Sequence, residues 1–455
     1  MTRAAPSAAT RALPRAAAWA APLVLALAAG VGALPGTARA GEAPLEMPAN
    51  DAVIVERLPA HLGDPAQRKA ARAAERAQRS ELQRHPNELA LALATARDAI
   101  ARARLRGDPR ELGTAEAALA PWWTLAEPPP EVRLLRATVL QSQHEFDTAR
   151  ADLEALLSRP DGVPRDVLAQ AELTRSAIDQ VRGRYDDALA GCRHLAGPDY
   201  AALGGNVRLS ALACQAELAG LRGKPDLADA TLARLAGGDD ATATPAWLTL
   251  MRAELAERRD DPQAGALYAQ ALRARSDVYT LCAYADWLLD HHRAAEVVPL
   301  LKANEAADPV LLRLALAYRQ LHGARDPRTR AATDTLGERF DAALLRGDRT
   351  HGREQSRFEM DLRQHPQAAL ALAQKNWALQ HEPADALALV RTARGAHRPD
   401  AAAPVWAFLK ATGGRDARLA PWPAELGPAS APASAPASAP GTDTVAANAT
   451  TGAKR

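Results

Sequence analysis

The feature that most constrains this 455-residue chain is a pair of small residues twelve apart, often followed four positions later by a larger apolar one. Ala137, Ala149 and Leu153 make one set, Ser176 and Ala188 a second, and Ala216, Ala228 and Leu232 a third. Ala253, Ala264 and Tyr268 repeat it with the first interval shortened by one residue. The second small residues, 149, 188, 228 and 264, recur every 36–40 residues. Between the two small residues lies a breaker: "RGRYDDA", "RGKPDLA" or "RRDDPQA". The flanking segments are of helix length. A small residue on each of two helices lets their backbones approach closely, a turn joins them, and the larger residue fills the gap to the next pair.

Composition agrees. Aromatic residues are 4% of the chain against 47% apolar, so Ala and Leu carry the burial, and both are strong helix formers. A longer phrase is also written twice: "ELQRHPNELALALATARDA" from Glu81 and "DLRQHPQAALALAQKNWAL" from Asp361. Pro disfavours helix in the residue before it and suits a first helical position. "LQRHP" and "LRQHP" are therefore each expected to close one helix, and the apolar text after each to open the first helix of a hairpin.

These units resemble the tetratricopeptide repeat, a pair of antiparallel helices of about 34 residues. Spacing here is longer, the family's early Trp and Leu–Gly pair are mostly missing, and several turns lack Gly. The resemblance implies an all-α, right-handed α-solenoid of stacked hairpins that binds protein or peptide partners along its concave face. The layout is also similar to that of exported bacterial repeat proteins, with a "VIVERLP" arm and a "GDPRELGTAEAALAPWW" hairpin ahead of the array. That likeness brings no activity with it.

Six regions follow. Residues 1–40 read as a signal peptide: Arg3, Arg11 and Arg15 precede an apolar run, and "ARA" at Ala38–Ala40 fits cleavage after Ala40. Residues 41–64 form an extended arm, 65–325 the repeat array, 326–364 two longer, irregular helices, 365–426 C-terminal hairpins, and 427–455 a disordered Pro/Ala/Ser tail. The expected location is the periplasm or outside the cell, with no membrane span once the signal is removed. Losing Arg3, Arg11, Arg15 and Arg39 takes the formal charge from +2 to −2, which leaves no electrostatic footprint for nucleic acid.

No phosphate-cradling loop, metalloprotease motif or nucleophile elbow occurs, so no cofactor and no metal site is expected. The three cysteines are Cys192, Cys214 and Cys282. Cys192 and Cys214 fall on helices that stack and make a candidate disulfide; the alternative is three buried small residues. "DWLLDHHR" places Asp286 and Asp290 on one helix face with His291 and His292 diverging, which suits a solvated helix end. "PWW" at Pro121–Trp123 reads as a plug between hairpins. In the solenoid register, Gln141, Gln180, Glu217 and Glu254 face the concave side. The function expected is that of an exported, non-catalytic scaffold. The alternatives are an envelope or polysaccharide-processing enzyme using His351, Arg353 and Glu354, and an assembly factor anchored by residues 16–36.

Overall fold

The computed structural model describes residues 65–237, 245–345 and 351–420. The expected signal segment with its cut after Ala40, the 41–64 arm, and the 427–455 tail lie outside them. Among the described residues there is no strand, and no helix is long and apolar enough to cross a membrane.

Helices pack as neighbouring antiparallel pairs along the chain. After α1 (Pro65–Arg84), α2 (Leu89–Arg106) pairs with α3 (Arg110–Ala118), and the short α4 (Ala120–Trp123) follows. Next come α5 (Pro130–Ser142) with α6 (Phe146–Leu157), and α7 (Arg165–Val181) with α8 (Tyr185–Leu195). These are followed by α9 (Gly205–Leu221) with α10 (Pro225–Ala236), and α11 (Ala246–Arg258) with α12 (Ala264–Ala274). Then α13 (Val278–Asp290) pairs with α14 (Ala294–Leu301), α15 (Asp308–His322) with α16 (Pro327–Leu345), and α17 (Gly352–Asp361) with α18 (Pro366–Leu379). Finally α19 (Pro383–Gly395) turns into α20 (Ala403–Thr412). The hairpins are tetratricopeptide-like. Ala137, Ala149, Ser176, Ala188, Ala216, Ala228, Ala253 and Ala264 are all buried where paired helices meet. Close approach is literal at α7–α8, where a Cβ on Gly191 would lie 2.2 Å from Ser176 Oγ.

The turns lacking Gly use the same backbone as those that have it. Gly107, His144, Gly183, Gly223, Asp260, His292, Gln364 and His397 all sit in the left-handed region, with φ from 55° to 74°. In most of these turns the next residue's N–H reaches back to a carbonyl of the preceding helix, as Glu145 does to Leu140, Arg184 to Asp179 and Arg293 to Leu288. That bond satisfies helix-end carbonyls and offsets the steric cost of about 1–2 kcal/mol for a residue with a Cβ. The geometry of the repeat is thus more regular than its letters.

Two expectations need correction. Residues 326–364 do not interrupt the array, because α16 completes a hairpin with α15 and α17 pairs with α18. The polar text there reflects exposed outer positions on α16 and charged inner positions on α17. The two copies of the repeated phrase also occupy different places: α2 is the first helix of its hairpin, whereas α18 is the second of its own and packs on α19 as well. Trp122 and Trp123 lie half-buried against the core of α2, α3 and α5, as a plug.

The inner layer consists of α2, α5, α7, α9, α11, α13, α15, α17 and α19. It coils tightly enough that α2 meets α13, where Gly107 leaves room for Val278. The C-terminal hairpins then cross the opening. His381 N–H donates to Val181 O at 2.7 Å, and Phe408 packs over Gly183 and edge-on to Tyr185. Where α20 ends, Gly413 abuts Gly223.

Candidate functional site: a charged central chamber

Coiling of the inner helices encloses a chamber of about 440 Å³. Its lining is charged, which is unusual inside an Ala/Leu array, and the charges sort into two parts. On one side four arginines are paired with carboxylates. Asp286 on α13 accepts from Arg313 Nη2 of α15 at 2.7 Å and from Arg357 Nη1 of α17 at 2.5 Å. Arg353 reaches Glu382 at 3.2 Å and Asp385 at 3.3 Å, and Asn376 also donates to Asp385 at 2.8 Å. Arg391 bonds Asp290 at 3.1 Å. Burial pushes the Asp286 carboxyl up, but Arg313 and then Arg357 more than reverse it and hold the group well below the usual carboxylate range.

Carboxylates dominate the other side. Glu254 accepts from Tyr279 Oη at 2.7 Å, and Glu257 from Tyr268 Oη at 2.7 Å with Arg418 at 3.4 Å. Burial raises Glu254 and Glu257, and burial with the nearby Glu254 charge raises Glu217 to about 7. Among the described residues, no group of three His, Cys, Asp or Glu is placed to hold a metal ion.

Of the residues expected on the concave side, Gln141, Glu217 and Glu254 line the chamber. Gln180 stands behind Glu217, 5% exposed, with its side chain bonded to the Glu217 carboxyl. The structure therefore brings Gln180, Glu217 and Glu254 into one cluster, with Gln141 elsewhere on the wall. Arg353 and Glu354 also line the chamber, as does His351. The "DWLLDHHR" stretch does end α13 in solvent, with Asp290, His291 and His292 exposed and His291 stacked on Trp287 at 4.2 Å, but Asp286, one turn earlier, is locked to two arginines. The missed signal was Arg313 in "VLLRLALAY": one charge in an apolar helix has to find a partner.

Cys192 on α8 and Cys214 on α9 are joined as a disulfide, with Cα atoms 6.1 Å apart. Cys282 is buried and unpaired with another cysteine, and burial pushes its thiol up to about 12. Thiol titration without reductant is expected to find none in the native chain and one after denaturation, rising to three with reductant. Three thiols in the denatured, unreduced chain would show that Cys192 and Cys214 are not bridged.

No family model matches the chain, and no curated protein matches it in sequence. Among solved structures it is similar to one described as the crystal structure of the APC/C hetero-tetramer Cut9-Hcn1. The likeness has 13% identity, covers 78% of this chain and 74% of that one, and gives a TM-score of 0.38.

Proposed function

We propose that this chain is an exported binding scaffold that holds a segment of another protein in its central chamber and performs no covalent chemistry. The observation that carries this reading is the convergence of inner helices from successive hairpins on one polar chamber. A helical array buries apolar surface without needing such a chamber. Non-catalytic use is supported by the lining nucleophiles: Ser356 is buried and donates to Ala369 O, and the raised Cys282 thiol is un-ionised at neutral pH.

The test is selection of displayed peptides against the full chain, with affinity measured by fluorescence anisotropy. Gln141→Trp puts a bulky ring into the chamber and is expected to weaken selected peptides at least about tenfold, equivalent to about 1.4 kcal/mol. Ala230→Trp, on the exposed side of α10, is expected to leave them unchanged. Selected peptides indifferent to Gln141→Trp would refute the reading.

One observation favours a second reading, an envelope polysaccharide-processing enzyme. Burial raises Glu217 to about 7, and burial with the Asp385 charge raises Glu382, which is what a general acid at neutral pH requires. Turnover of envelope polysaccharide by the purified chain, abolished by Glu217→Gln or Glu382→Gln, would establish it. Absence of turnover removes it.

A further inference from the structure

The chamber lies between two bodies with separate apolar cores. Leu370, Trp377, Leu389, Val390, Val405 and Leu419 bury one another in a C-terminal unit made of α18, α19, α20 and the 3-10 turn Ala417–Leu419. Every buried member of that core comes from residues 370–419. The hairpins facing it are packed without them: Tyr185, Cys214 and Leu218 bury one another around α8 and α9, and Leu232, Leu248 and Leu255 do so around α10 and α11. The chamber wall is shared. Gln141, Phe146 and Tyr279 come from the array, and Gln380, Leu387 and Arg418 from the C-terminal unit.

Contacts along the seam step from one hairpin end to the next. Gln380 Nε2 stands 3.5 Å from His144 Nδ1 in the α5–α6 turn. At the end of α7, Arg182 Nη1 donates to Leu379 O at 3.3 Å and His381 N–H donates to Val181 O at 2.7 Å. Gly413 abuts Gly223 in the α9–α10 turn, and Arg418 pairs with Glu257 of α11 at 3.4 Å. Phe408 packs against both cores, edge-on to Tyr185. Two array turns are shaped to receive this unit, since a Cβ on Gly183 would lie 2.7 Å from the Phe408 ring and one on Gly223 2.1 Å from Gly413 O. The other flank is held differently. There α17 pairs with α18, while its Phe358 is buried in the array core against Phe340 of α16. A largely polar seam opposite an apolar anchor opens at the seam first, because little buried apolar surface has to be exposed there.

We propose that α18–α20 and the turn after them form a hinged lid on the chamber, anchored at α17 and latched to the array by Phe408 and Arg418. A bound segment enters by opening this seam. The proposal rests on the scaffold reading only for what enters. Arg418 itself lines the chamber, so breaking its bond to Glu257 opens the wall.

Cys282 reports on the lid. It lines the chamber, is 6% exposed and stands outside the Cys192–Cys214 bridge. Its labelling by N-ethylmaleimide over hours in the native full chain, followed by mass spectrometry, reads the open fraction. Phe408→Ala and Arg418→Gln are each expected to raise the rate at least tenfold. Leu153→Ala, in the core of α5, α6 and α7, destabilises the chain away from the latch and should raise it less than either. The parent's rate should depend only weakly on dilute urea, because lid opening exposes less surface than unfolding. Acceleration in either latch variant beyond that in Leu153→Ala, with weak urea dependence, would support the lid. Latch variants no faster than Leu153→Ala, or a parent rate that climbs with urea as steeply as global unfolding, would overturn it. The measurement contains no ligand, so either result leaves the scaffold reading to stand or fall on the peptide selection.

Discussion

Asp286→Ala is expected to lower the unfolding free energy by about 3 kcal/mol at pH 7. Asp286 lies on α13, and its carboxylate is the shared partner of Arg313 on α15 and Arg357 on α17. Arg313 is 8% exposed, and its remaining acidic neighbour, Glu354, stands at 3.9 Å. Removing the carboxylate leaves two guanidinium groups facing each other with only the more distant Glu354, and Asp361 at 3.6 Å from Arg357, to balance them. Breaking a buried ion pair from one side costs about 3–5 kcal/mol. The lower end applies because Asp286 borders the chamber and is 27% exposed, so water can replace part of what is lost. The pH dependence has a definite sign. The folded-state carboxyl is held below its unfolded value of about 3.9, so its stabilisation is present above that pH and fades as pH falls through the acid range. Urea unfolding of parent and variant should differ most at pH 7, with the difference beginning to shrink below about pH 4 and still shrinking as the pH falls toward about 2. A constant difference across that range would mean that packing, and not charge, accounts for the loss.

The second large effect is expected at Gly223. Its φ of 74° is costly for any residue with a Cβ, and a Cβ there would lie 2.1 Å from Gly413 O. Gly162 makes a matched control, with φ 76° and nothing within 4 Å of the same position. Gly162→Ala should cost only the backbone strain, about 1 kcal/mol. Gly223→Ala should cost about 3 kcal/mol, because the strain is joined by overpacking of about 1–3 kcal/mol against backbone that cannot swing aside. The extra loss has a location. Pushing Gly413 away undocks α20, exposing Phe408 where it meets Tyr185, Trp377 and His381, and loosening Arg418 from Glu257. Amide exchange over residues 403–419 should accelerate in Gly223→Ala and stay slow in Gly162→Ala. Equal behaviour of the two variants would mean that the end of α20 is not held by this contact.

How far the sequence could be read depended on the range of the interaction that carried the signal. Small residues twelve apart, Ala137 with Ala149 or Ser176 with Ala188, report a contact within one hairpin, and local text records local contacts. Placing Gln180 and Glu217 on the inner side needed only short-range text as well: Gln180 stands four residues after Ser176 and Glu217 one after Ala216, offsets one helical turn apart on the same face of the first helices of consecutive hairpins. Turn chemistry was only half legible. Gly183 and Gly223 announce a left-handed residue, whereas His144, Asp260, His292, Gln364 and His397 adopt it because the hairpin around them requires it.

From its own letters, then, this chain determined that it would be helical, paired and repetitive, since those properties follow from helix propensity, breaker positions and spacing between near neighbours. Tertiary structure alone decided that the array coils until α2 touches α13, that α19 and α20 cross the opening, and that Asp286, Arg313 and Arg357 meet. The physical reason is accumulation. Each hairpin adds a small rotation set by side-chain packing, and only the sum over many hairpins decides which distant residues face each other across the centre.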